Sequence, residues 1–352
     1  MGTTYAWHPG AHWLSPGWGV PIALMPDELF SGWLSRAAAQ MGCSLSSLLA
    51  SIAPELHVCD VDRGLSAQQL SLLSGLSGIT GKALEASMLL RVSDALAGRD
   101  RFQNSILDWV LPLGLQRGRT PHGLQYCTGC WLEDDIPYVR MEWRLAWHIA
   151  CARHQLALVD HCYRCGAPIR PHQVRSGALC ISTCVSCGAN LSVARADRVE
   201  ANALAFQQHA DRVIQSGTGR VWGSCMSAAE WFRTVALMLR FIKHEGSQVV
   251  VPGNLERRFE LLGVADRQVL TAKLAWLMDK SRAQVVRMLS MAYRRGRASG
   301  QDEHRSILGW LSLMFPPRPV RAHARTKDYS PRTKQQVKQM MAYLCGLLSK
   351  PK

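Results

Sequence analysis

Cys127-Thr128-Gly129-Cys130, Cys151-Ala152-Arg153-His154, Cys162-Tyr163-Arg164-Cys165 and Cys184-Val185-Ser186-Cys187 follow one another in the middle of the chain. Their spacing governs how everything around them is read. Two residues between ligands let one tight turn aim both side chains at a single ion, and a second such pair completes a tetrahedron. Twenty residues lie between the first and second pairs and eighteen between the third and fourth. Thiolate and imidazole are soft or borderline donors, which favours zinc in a reducing compartment, where disulfides are rare. The expectation is two structural zinc ions on Cys127, Cys130, Cys151, His154, Cys162, Cys165, Cys184 and Cys187. Four protein ligands per ion leave no open position for a substrate. Sequential pairing is the simplest arrangement, although an interleaved one uses the same eight residues, and Cys180 is a substitute for Cys184. His148, His161 and His172 are spare imidazoles, while Cys43, Cys59, Cys225 and Cys345 stand alone and read as small buried apolar residues. Large apolar residues look sparse from Pro121 to Arg195, so bound zinc is expected to hold that segment together.

Outward from this segment the pattern is helical. Toward the N-terminus, Leu29, Trp33, Leu34 and Ala37 share one face of a helix opened by Pro26 and closed by Gly42. Ser44 caps a second helix bearing Leu45, Leu48, Leu49 and Ile52. Ser66 and Gln69 form a capping box for a third helix that is expected to stop at Gly75. Thr80 caps a fourth, carrying Ala83, Leu84, Met88 and Leu89. Helix, glycine-containing turn, helix is the outline of a helix-turn-helix, and equally of an ordinary helical hairpin. Toward the C-terminus, helix resumes near Val199, and Ser227 with Glu230 boxes a helix striped by Trp231, Val235, Met238 and Ile242. A further pair follows, Arg267–Met278 and a helix boxed by Ser281 and Gln284. The fold class is therefore mainly α. It comprises an N-terminal helix-turn-helix-like region over 1–120, a small ribbon-like two-zinc segment over 121–195, a helical domain with a second such pair over 196–315, and a basic tail over 316–352.

The net charge of +15 is concentrated: from Ser281 to Lys352, 15 Lys and Arg face 3 Asp and Glu. A basic end on a near-neutral body suits a polyanion, most simply duplex DNA. Arg282, Arg287, Arg294, Arg295 and Arg297, followed by Arg318, Arg321, Arg325 and Lys327, are the candidate phosphate contacts, the first five along a helix placed to enter a major groove. The Trp-rich first 24 residues read as an irregular extended arm, a candidate docking segment for a partner or a strap on the protein's own surface. No apolar run reaches membrane-spanning length, and Met1–Trp7 lacks the basic start of a signal peptide, so a cytoplasmic, nucleoid-associated protein is expected.

Enzymatic motifs fail on inspection. Gly75–Ala83 has one residue too many for a phosphate-binding loop and places Ala83 where a magnesium-binding hydroxyl belongs. Glu133-Asp134-Asp135 reads as a solvated acidic face between zinc ligands. No catalytic or nucleotide-binding residue is assigned, and the chain is read as a non-enzyme.

Several stretches together resemble the TniQ family of bacterial transposition proteins. Tyr126-Cys127-Thr-Gly-Cys130-Trp-Leu132-Glu133-Asp134, Pro137-Tyr138 and Trp143-Arg144-Leu145-Ala-Trp147 resemble its zinc region. So do Cys151-Ala-Arg-His154-Gln-Leu156-Ala-Leu158-Val-Asp160 and Cys162-Tyr-Arg-Cys165-Gly166-Ala-Pro168. Pro26-Asp27-Glu28-Leu29-Phe-Ser31-Gly-Trp33-Leu34-Ser-Arg36 is similar to its opening helix. Thr128 stands where that family usually has proline. The resemblance implies a target-site selector of a Tn7-like transposon that recruits a TnsC-type AAA+ ATPase, either on DNA it reads directly or on an RNA-guided CRISPR Cascade complex, often as a homodimer. Strand transfer would then belong to a separate transposase. The rival reading from the residues alone is a zinc-stabilised helix-turn-helix transcription regulator.

Overall fold

A computed structural model of the chain describes residues 22–52, 60–97, 107–113, 123–173, 180–245, 258–281 and 284. The described helices are α1 (Phe30–Gln40), α2 (Leu45–Ile52), α3 (Ala67–Ser77), α4 (Gly81–Ala86), α5 (Leu90–Ala97), α6 (Thr128–Glu133), α7 (Ala201–Ser216), α8 (Ala228–Glu245) and α9 (Val264–Met278). One antiparallel hairpin, β1 (Thr218–Val221) with β2 (Ser224–Ser227), joins α7 to α8. The protein is mainly α with two Cys/His clusters in its middle.

The first helices form where their apolar periodicity placed them. Phe30, Trp33, Leu34 and Ala37 of α1 bury against Leu45, Leu48 and Leu49 of α2, Leu73 of α3 and Leu84 of α4. Ser44 accepts from the Ser47 amide at 3.1 Å, and the Ser66–Gln69 box is complete, with reciprocal bonds of 2.9 and 3.3 Å. Three expectations need correction. α1 opens at Phe30 and not at Pro26, with Leu29 as its N-cap, because Asp27 takes the left-handed φ of 55° and breaks the run. Gly75 lies inside α3, which runs on to Ser77 and ends at Gly78, the residue that takes the left-handed φ of 72°. One interior glycine costs a helix only about 1 kcal/mol, and the chain does not turn where a left-handed cap is not needed. Met88 and Leu89 lie beyond α4, because Ser87 donates its hydroxyl to Leu84 O at 2.6 Å and Leu89 N donates to Asp62 O at 2.7 Å, turning the chain into α5.

A second cluster of buried side chains is continuous from α5 through the cysteine-rich segment to α7, α8 and α9. Its framework is aromatic. Tyr126 stacks on Trp131 with centroids 4.1 Å apart, Trp131 meets Trp143 edge-on, and Trp147 meets Phe232 of α8. The segment from Pro121 to Arg195 is therefore not poor in core residues: Tyr126, Trp143 and Trp147 are fully buried there. Three large rings bury as much apolar surface as several aliphatic residues, which a count of Leu, Ile and Val understates.

The hairpin was not anticipated. Trp222 and Gly223 both have positive φ, 49° and 84°, as a two-residue turn matched to strand twist requires. Tryptophan is an uncommon first residue for such a turn, so the composition carried little signal. Ser227 and Glu230 box α8 as expected, with the Glu230 carboxylate accepting from the Ser227 amide at 3.0 Å. The Ser281–Gln284 bonds, 2.8 and 3.3 Å, are also in place.

Polar contacts lock the N-terminal helices to the middle segment. Arg144, fully buried, donates to Asp62, to Leu111 O and, at 2.5 Å, to Asp60. Asp62 also accepts from the amide and hydroxyl of Ser31 in α1, both at 2.7 Å. On the other side, Asp211 of α7 accepts from Trp147 Nε1 at 2.8 Å and lies 2.8 Å from His148 Nε2. No described helix is long and apolar enough to cross a membrane.

Candidate metal centre

Three of the four ligand pairs share one backbone device. At the third pair, Cys162 N donates to Ala167 O at 2.8 Å and Gly166 N returns to Cys162 O at 2.8 Å. The fourth repeats it with Cys184, Ala189 and Gly188, and the second with Cys151, Leu156 and Gln155, all at 2.8–2.9 Å. Closing so tight a turn demands a left-handed residue just after the second ligand. Gly166 and Gly188 supply it at φ 69° and 71°, and Gln155 is held there at 53°. The first pair is built differently: Cys127 is the N-cap of α6, and Cys130 sits in its first turn.

These devices gather the eight residues into two groups, Cys127, Cys130, Cys151 and His154, then Cys162, Cys165, Cys184 and Cys187, each with its ligand atoms within 4.8 Å of one another. The chain thus pairs the motifs sequentially. In the first group His154 Nδ1 lies 3.4 Å from the sulfurs of Cys127, Cys130 and Cys151, and Cys130 and Cys151 are 3.6 Å apart. In the second, Cys162–Cys187 and Cys165–Cys184 are each separated by 3.7 Å. A disulfide would hold its sulfurs at about 2.05 Å, so these are free thiols converging on a point. Crowded together they cannot all ionise: Cys151, hydrogen-bonded by Cys127 and Cys130, is pulled well below the usual thiol range, while Cys130, bonded to Cys127 and Cys151, is pushed well above it. A cation at each centre relieves that conflict, so each group could hold one metal ion.

The two groups differ in shelter. The three cysteines of the first are buried, whereas Cys165 of the second is exposed. Cys180 belongs to neither group, its sulfur lying 3.0 Å from Ser182 Oγ, and the spare imidazoles are used elsewhere. His148 faces Asp211, His161 Nδ1 lies 2.7 Å from Asp160, and His172 is buried between α1 and the cations Arg144 and Arg170. Cys43 is half-buried and Cys225 exposed on β2, which corrects the reading of Cys225 as a core residue; Cys59 and Cys345 lie outside the described residues. An exposed strand on a two-stranded hairpin has no second layer to cover it.

Glu133-Asp134-Asp135 is also not a plain solvated face. Asp134 is held by both terminal nitrogens of Arg140 at 2.8 and 3.0 Å, and Glu133 reaches Arg153 at 2.5 Å and His154 Nε2 at 3.1 Å. Sequence reasoning missed this role for Glu133; the available signal was the short helix after Cys127, which puts Gly129 and Glu133 one turn apart on one side. Arg282, Arg287, Arg294, Arg295, Arg297, Arg318, Arg321, Arg325 and Lys327 lie outside the described residues, as do residues 1–21 of the Trp-rich arm and the tail.

Residues 21–158 match the family model of TniQ. The chain carries a TniQ domain. It spans α1 to α6 and the whole first metal group, and ends before Cys162, so the second group and α7–α9 lie beyond it. A TniQ domain marks a protein associated with Tn7-like transposition. No curated protein matches the chain.

Proposed function

We propose that this chain is the target-site selector of a Tn7-like transposon, linking target DNA to a TnsC-type AAA+ ATPase. The observation that carries the reading is the TniQ domain with its first metal group built into the aromatic core between the helical regions. Both ions are zinc in this reading. A tetrahedral ion with metal–sulfur bonds of about 2.3 Å has sulfur–sulfur edges of about 3.8 Å. The separations of 3.6 and 3.7 Å among the thiols support that size. Donor sets of three cysteines with one histidine, and of four cysteines, support that metal. All positions on each ion are filled by protein, so zinc supplies rigidity and no chemistry.

The work divides by charge. On α4, Lys82 and Glu85 balance one another, which suits contact with protein better than with phosphate. The cationic stretch from Arg282 to Lys327 suits duplex DNA, held in a cytoplasmic, nucleoid-associated complex. Target choice then comes either from a DNA site read by this chain or from an RNA-guided Cascade complex to which it docks, in the second case with two copies of the chain.

Binding to random duplex DNA across a salt series tests the DNA arm. Affinity should fall steeply with salt, and changing Arg282, Arg287, Arg294, Arg295 and Arg297 to Glu should abolish it while metal content stays the same. Absence of binding at low salt assigns target recognition to a partner complex. Nucleotide-dependent co-purification with an AAA+ ATPase tests the other arm; a transcription regulator would not show it.

A further inference from the structure

The first metal group has a support that no ligand motif describes. The imidazole of His154 is confined on three sides. Its Nδ1 faces the three sulfurs of Cys127, Cys130 and Cys151, each at 3.4 Å. Its ring lies against the start of α6, so close that a Cβ on Gly129 would sit 2.8 Å from ring atoms Cγ and Cδ2. Its remaining nitrogen, Nε2, is 3.1 Å from Glu133 Oε1, and the other carboxylate oxygen is braced by Arg153 at 2.5 Å. Gly129 and Glu133 are four residues apart on α6, so one face of this helix carries both the space for the ring and the acceptor at its far edge.

We infer that Glu133 is a positioning residue for the first metal ion, acting through His154, with Gly129 as the seat of the ring and Arg153 as the brace of the carboxylate. This rests on the zinc reading above. Neutral imidazole carries one N–H and one lone pair. A carboxylate at Nε2 keeps the proton there, which leaves the Nδ1 lone pair directed at the point where the three sulfurs converge. The negative charge also makes the ring a stronger donor. Outer partners of this kind typically change metal affinity by about 10–100-fold. The second group has four sulfurs and no imidazole, so it lacks this lever. Loss of Glu133 therefore acts on one ion of the two.

The test uses the full chain loaded with zinc, and with cobalt in parallel, since a site of three sulfurs and one nitrogen absorbs differently from a site of four sulfurs. Zinc release into excess chelator is followed for the parent, Glu133→Ala, Glu133→Gln and Gly129→Ala. The parent should carry two ions per chain and release them in separable phases. Glu133→Ala should speed the phase of the histidine-containing site roughly tenfold or more and leave that of the all-cysteine site unchanged. Glu133→Gln, which keeps a carbonyl-type acceptor oxygen beside Nε2, should recover much of the loss. Gly129→Ala should perturb the cobalt spectrum of the histidine-containing site by displacing the ring. An unchanged phase at that site in Glu133→Ala overturns the inference, and so does equal acceleration of both phases, which marks general loosening. A parent chain that takes up no metal removes the zinc reading itself, an outcome distinct from either. Glu133 is half-exposed, so its replacement leaves the core intact.

Discussion

The guanidinium of Arg267 in α9 donates to the amide oxygen of Gln125 at 2.9 Å, just ahead of the first ligand pair. Both side chains are almost wholly inaccessible. Arg267 also donates to Ala146 O at 2.6 Å and to Leu262 O at 3.1 Å, while Gln125 donates onward to the carbonyls of His148 and Leu145. Every one of these acceptors is neutral. Burial pulls the Arg267 pKa down to about 10, so the side chain stays a cation, solvated by protein dipoles in place of water. Replacing Arg267 with Leu strands three buried acceptors. We expect a loss of roughly 3 kcal/mol or more in chemical denaturation, since each stranded group costs about 1–3 kcal/mol. An unchanged midpoint would mean that water fills the gap.

Acid stability should turn on His172 and Asp62, with opposite signs. Burial, and then the cations Arg144 and Arg170, pull the His172 pKa down to about 3. Between its unfolded value of about 6.5 and that figure, the unfolded chain binds the proton and the folded chain does not, so stability falls as pH drops. Burial lifts Asp62 from 3.8 to about 6 in spite of Arg144. There the folded chain holds the extra proton, and stability rises as pH falls through that window. His172→Leu should remove only the first effect. Its melting temperature should drop less than the parent's between pH 6 and pH 4, a difference worth on the order of a few kcal/mol at the acid end. Parallel curves would show that His172 does not titrate with folding.

The ligand turns predict an asymmetry among their closing residues. Gly166 has φ 69°, where an added Cβ is strained, so Gly166→Ala should cost about 1–2 kcal/mol and weaken metal retention at the second group. Gln155 already bears that strain at φ 53°, so Gln155→Gly should be tolerated with no such loss. Thermal melts of the two variants decide the matter; a well-tolerated Ala at 166 would mean that the turn is not held in this conformation.

Metal removal should act locally. The amides of Gly166 and Gly188 are bonded across the turns that carry the clustered cysteines, whereas α7 and α9 pack through side chains such as Phe206, Leu270 and Leu274. Under chelator, hydrogen exchange should accelerate at residues 162–166 and 184–188 while α7 and α9 keep their protection. Loss of protection throughout would make the ions central to the whole core.

Much of this was legible in the residues, for identifiable reasons. Ser66–Gln69, Ser227–Glu230 and Ser281–Gln284 are local boxes that close within three residues, so no distant partner had to be known. The buried stripe of α1 and the leucines of α9 followed from period alone. What escaped depends on distant contacts. The end of α4 is set by Leu89 N meeting Asp62 O, 27 positions away, and the acidic run at Glu133 looked solvated because Arg153 and Arg140 were not known to face it.

The sequence by itself determined which eight side chains gather into the two Cys/His clusters, since Cys-x-x-Cys and Cys-x-x-His spacing is a property of one turn and its backbone bonds. Which pairs share a centre was left to the tertiary structure, because both arrangements satisfy the same local spacing. The choice is made by contacts that span the segment, among them Tyr126 N donating to Val159 O at 3.0 Å and Tyr126 Oη donating to Leu191 O at 3.0 Å. The same holds for the helices on either side. Periodicity made their apolar faces, but buried ions such as Arg144 and Arg267 pair with groups tens to more than a hundred residues away, and only the folded chain brings those groups within reach.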